Sequence, residues 1–69
     1  MKLSARNVFP GKVVDVQEGA VNGIVKLDIG GGHLISATIS MNAIHELGLT
    51  QGKGAYAIIK ATNVIVGID

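Results

Sequence analysis

Two short polar stretches carry the residue types from which chemistry is built. Ser4-Ala5-Arg6-Asn7 stands near the start of the chain and Lys60-Ala61-Thr62-Asn63 near its end. Each joins one cation to hydroxyl or amide donors, and each holds an alanine small enough to let an anion approach the backbone N–H groups. Fixed donors with modest positive charge are what a small oxyanion requires. Arg6 offers a planar fork of donors and Lys60 a point charge. Ser40, at the entrance to a short helical segment, adds a hydroxyl beside the N–H groups of the helix start. Ordinary turn polarity at strand ends draws on the same residue types, so residue type alone leaves both readings open.

Other chemistries find little to work with. The chain has no cysteine, which removes disulfides, thiolate metal clusters and thiol nucleophiles together. Neither His33 nor His45 stands in a recognisable arrangement with Ser4, Ser36 or Ser40, as nucleophilic catalysis needs. The acids Asp15, Glu18, Asp28, Glu46 and Asp69 are dispersed rather than paired. Gly30-Gly31-Gly32 lacks the Lys-Ser/Thr of a phosphate loop and is followed by a strand pattern, so it reads as a hairpin. A binding protein is expected, not an enzyme.

The elements that position these residues are short and punctuated by glycine. Asn7 to Val16 reads as a first strand, bent at Pro10-Gly11. In Val21 to Ile29, Val21, Gly23, Val25, Leu27 and Ile29 share one face, and in His33 to Ser40 so do Ile35, Ala37 and Ile39. Ser40 is a natural N-cap for a helix carrying Met41, Ile44 and Leu47, with Gly48 as its stop. Lys53 to Ala61 and Thr62 to Ile68 read as fourth and fifth strands. The order β-β-β-α-β-β predicts an all-β, OB-like five-stranded barrel with one short helix, a single domain over residues 1–69.

A chain of 69 residues buries a core so small that disulfides, a metal or self-association usually reinforce it. Hydrophobic residues make up 48% of the chain and charged residues 16%, below the roughly 25% of an average domain. Both faces are apolar in Ala55–Ile59 and in Val64–Val66, and a second apolar face needs covering. Oligomerisation is therefore the expected reinforcement. A net charge of +1 and only two aromatics, Phe9 and Tyr56, argue against nucleic acid as a partner. A single-stranded nucleic-acid module nonetheless stands as an alternative for an OB-like barrel, as does an oxyanion-responsive interaction module. No apolar run approaches the roughly 18 residues of a membrane span, and the N-terminus has no secretory hydrophobic run. A cytoplasmic protein with no membrane partner is expected.

Several segments together resemble a known family. Ser4-Ala5-Arg6-Asn7, Gly11-Lys12-Val13-Val14, Gly31-Gly32, Glu46-Leu47-Gly48-Leu49, Gly52-Lys53 and Ala57-Ile58-Ile59-Lys60-Ala61-Thr62 are similar to the molbindins, the stand-alone Mop proteins. The likeness spans essentially the whole chain. It implies an OB-like barrel and a hexamer built as a trimer of dimers, with molybdate or tungstate held between subunits for storage and homeostasis. It further implies Ser4, Ala5 and Arg6 as ligands from one subunit and Ser40, Lys60, Ala61 and Thr62 from another. A second type of site on the threefold axes would fall near Ala20, Val21 and Asn22. Val8 departs from the family pattern, in which glutamine often follows the asparagine. Ala61 stands where some members have serine, so a hydroxyl is lost there while the N–H remains.

Overall fold

The computed structural model describes residues Met1–Asp69. Its elements run β1 (Asn7–Gln17), β2 (Asn22–Gly30), β3 (His33–Ser40), α1 (Met41–Leu47), β4 (Gly54–Ile59) and a single 3-10 turn over Ala61–Asn63. All strand pairs are antiparallel, in a four-stranded sheet of order β3-β2-β1-β4.

Period-two patterning sets which face looks inward. Gly23, Val25 and Leu27 of β2 are buried while Ile24 and Asp28 are exposed. Ile35, Ala37 and Ile39 of β3 are half-buried between exposed Ser36, Thr38 and Ser40. The hairpin between these strands rests on Gly30, Gly31 and Gly32, all at positive φ (95°, 64° and 79°), a run that side-chain-bearing residues would resist. The helix starts and stops where its capping residues require. The Ser40 hydroxyl accepts from Ala43 N at 3.0 Å, and Gly48 ends the helix in the left-handed conformation. Lys53 Nζ then donates to Leu47 O at 2.7 Å, satisfying a carbonyl that the helix end leaves free.

The long first strand serves two neighbours in turn. Its residues Asn7–Lys12 pair with β4 and Lys12–Gln17 with β2. At the handover, a Cβ on Gly11 would come within 2.6 Å of Asp28 O, so only glycine lets the two backbones approach. A register shift follows between Val13 and Asp15, a bulge that sharpens the bend and leaves both Val13 and Val16 against the core. The result is a curled half-barrel around Val13, Val25, Leu27, Ile44 and Ala57. Only 6 of 69 residues are buried, a core as small as the length predicts.

One expectation is corrected. Thr62 to Ile68 does not form a fifth strand, and β4 stops at Ile59 rather than Ala61. Ala61–Asn63 winds into the 3-10 turn instead, with Asn63 N donating to Lys60 O and Val64 N to Ala61 O. Beyond Val64 the chain is β-branched and suited to a strand, but a strand exists only by pairing, and this segment meets no partner within its own chain. Ile65, Val66 and Ile68 are 94%, 86% and 96% exposed.

Candidate anion-binding site

The β1–β4 register brings the two polar stretches together. Asn7 faces Ile59 in the last rung of that ladder, so Arg6 and Lys60 leave the sheet side by side. Just outside this rung, a cavity of about 110 Å³ is lined by Ser4, Ala5, Arg6, Lys60, Ala61 and Thr62. Two cations, two hydroxyls and two alanines make up the lining, with no carboxylate among them. Neither cation is committed elsewhere, since the side-chain hydrogen bonds of the chain involve Asn7, Asp28, Ser40 and Lys53. Such a lining suits a compact anion able to accept several hydrogen bonds at once. None of its residues is aromatic, so a nucleobase finds no stacking platform there.

Six of the seven expected site residues therefore meet within one chain, where the family likeness divides them between subunits. Ser40 is not among them: it pairs with Asn22 across β2 and β3, and its hydroxyl caps α1. It thus lies beside the stretch expected for a second site. There Val21 O accepts from Met41 N at 2.8 Å, and the Val21 side chain is exposed. His33 and His45 are both exposed, and no group of three or more His, Cys, Asp or Glu is placed to hold a metal ion. Asn7 stands in the first polar stretch but outside the expected ligand set, and its carboxamide Nδ2 donates to Ile59 O at 3.1 Å, at the rung next to the pocket. Its place directly after Arg6 was the available signal, but a strand-start asparagine has no visible partner until the register is known.

A second cavity, of about 390 Å³, is apolar. Val25 and Leu27 of β2 lie between Ile35, Ala37 and Ile39 of β3 on one side and Ala55–Ile58 of β4 on the other. These flanking strands are the two edges of the sheet.

The curled antiparallel half-barrel thus carries, beside its last rung, a small cationic pocket whose lining suits a compact anion. The TOBE domain model matches residues 3–66. With that match and the relatives below, the chain belongs to the TOBE-domain family and, within it, to the molbindin (Mop) group. It is 58% identical over its whole length, and over all of the relative's, to a probable molybdenum-pterin-binding protein of Haemophilus influenzae. Among solved structures it is similar to MopII from Clostridium pasteurianum, with a TM-score of 0.91 and 39% identity over 97% of this chain and 100% of that one. It also matches ModG, described as a cytoplasmic molybdate-binding protein and solved with molybdate bound. There the TM-score is 0.96 and the identity 45%, over 100% of this chain and 49% of that one. No helix here is long and apolar enough to cross a membrane.

Proposed function

We propose that this protein binds molybdate, or the equally sized tungstate, in the pocket of Ser4, Ala5, Arg6, Lys60, Ala61 and Thr62, and serves as a cytoplasmic store of the oxyanion. The observation that carries the reading is the juxtaposition of the two donor tripeptides, one from each end of the chain, in a cavity free of carboxylates. The likeness to ModG with molybdate bound supports it. Arg6 and Lys60 supply charge, Ser4 and Thr62 supply hydroxyl donors, and the alanines leave room for the ligand beside the backbone. Many shared hydrogen bonds hold a dianion without full charge neutralisation. No redox or acid–base group is required for this task. Ser40 reaches this pocket only where a neighbouring subunit presents it.

We further propose that the protein works as a homo-oligomer, a hexamer built as a trimer of dimers, and two features of the chain support self-association. One is the apolar groove between the sheet edges β3 and β4. The other is the exposed, unpaired Val64–Ile68 segment. A groove flanked by two unpaired edges lacks one strand, and the tail is a strand lacking a sheet. The tail of a second copy fits this groove, offering ladder hydrogen bonds and β-branched side chains to its apolar lining. Because Lys60–Thr62 leads directly into the tail, anion pocket and subunit contact are neighbours along the chain. A ligand that binds only the assembled state then favours assembly.

Titration calorimetry with molybdate, tungstate, sulfate and phosphate tests the function. Saturable heat with molybdate or tungstate is the expected result. An absence of heat with molybdate, tungstate and sulfate alike overturns the reading.

A further inference from the structure

We infer that Asn7 is the positioning residue of the pocket: its carboxamide fixes the separation of Arg6 from Lys60 and so sets the affinity for the anion, an inference that rests on the oxyanion reading above. The pocket residues lie outside the regular ladder. Ser4–Arg6 precede β1, and Lys60–Thr62 follow β4. Beyond the last rung, backbone pairing no longer holds the two stretches at a set distance. At that rung Asn7 Nδ2 donates to Ile59 O at 3.1 Å, joining residues 52 apart in the chain.

The other side-chain hydrogen bonds act locally. Asp28 accepts within its own hairpin, Ser40 caps the helix, and Lys53 closes the helix end. Asn7 alone uses its side chain to tie β1 to β4, and it does so at the rung formed by the residues next to Arg6 and Lys60 in the chain. Asn7 is half-buried, so the bond is partly shielded from competing water. Two cations that repel each other across an open cavity need such a brace, because a shift of about 1 Å degrades several hydrogen bonds to the same ligand at once. A carboxylate at this position would lose the donor and place negative charge beside the anion. The amide avoids both faults.

The test compares wild type with Asn7→Ala, Asn7→Ser and Asn7→Gln, measuring molybdate affinity by calorimetry and folding by circular dichroism and urea unfolding. At metal sites, groups that orient the ligands set affinity by about 10-fold or more. By the same logic, one residue removed from Arg6 and Lys60, Asn7→Ala and Asn7→Ser are expected to bind about tenfold more weakly while keeping the wild-type spectrum. Asn7→Gln, which retains the amide donor, is expected to recover part of that loss. Asp28→Ala removes a side-chain hydrogen bond at the β2–β3 hairpin, and its affinity is expected to stay within about twofold of wild type. Should Asn7→Ala fail to fold, Asn7→Ser, the smaller polar change, carries the comparison. Binding by the folded Ala or Ser variant within about twofold of wild type overturns the inference, as does an equal loss in Asp28→Ala. Wild type giving no heat with molybdate is a different outcome and counts against the oxyanion reading itself.

Discussion

Replacing Ile65 by alanine separates a tail that serves another subunit from one that serves its own. Ile65 is 94% exposed within the chain, so the substitution removes almost no intrachain packing, and the isolated fold is expected to be unaffected. In the proposed assembly the same side chain is buried in a neighbour's groove. Ile→Ala deletes three carbons, and at about 0.8 kcal/mol per buried methylene the loss is about 2.4 kcal/mol per tail. A twofold-symmetric pair buries two such tails, so the dimer loses about 5 kcal/mol. At about 1.4 kcal/mol per factor of ten, its dissociation constant rises by somewhat more than a thousandfold. Sedimentation velocity across a dilution series, paired with far-UV circular dichroism at each concentration, reads both quantities. The expected result is dissociation of the Ile65→Ala variant at concentrations where wild type stays assembled. An unchanged assembly throughout that range refutes the reasoning.

Three further outcomes follow from individual side chains. Arg6→Ala removes a charged donor from the pocket and is expected to weaken molybdate binding by about 1.5–3 kcal/mol, read by calorimetry, while sedimentation shows the oligomer intact. Gly23→Ala would place a Cβ 2.6 Å from Ile44 Cδ1 and 2.9 Å from both Gln17 O and Met41 Sδ. It should cost about 1–3 kcal/mol, seen as a lower urea midpoint with the β-type spectrum retained. Ser40→Ala deletes the cap on Ala43 N and is expected to lower unfolding free energy by about 1 kcal/mol. An unaltered midpoint would show that the hydroxyl does not support the helix.

Elements whose cause is local were legible in the sequence. The alternation of β2, the glycine hairpin and the Ser40-to-Gly48 limits of the helix each depend on residues within a few positions of one another. The bulge at Val14 was not legible, because it records a mismatch between two strands rather than a property of either. Nor was the fate of Val64–Ile68. Its β-branched composition says that it is fit for a strand, while pairing decides whether it becomes one, and no partner lies within the chain. The pocket divided along the same line. Arg6 and Lys60 stood out by type, yet only the β1–β4 register places them together. Asn7 gained a role only once Ile59 was seen opposite it.

The bulge in β1 has a consequence for how this chain can change in length. A one-residue deletion between Val8 and Pro10 would turn one half of the strand over relative to the other, because side chains alternate with a period of two. Either the end leading to Arg6 or the end carrying Val13 would then face the wrong way. Val14 is different: with it removed, Val13 and Val16 stand two positions apart, and both still point to the core. What would be lost is the bend, and with it the curl that sets the edges of β3 and β4 on opposite sides of the groove. Descendants shortened at Val14 would keep their core and their cations while flattening the groove proposed for a neighbour's tail, so a deletion there is expected to act on the proposed assembly ahead of ligand chemistry.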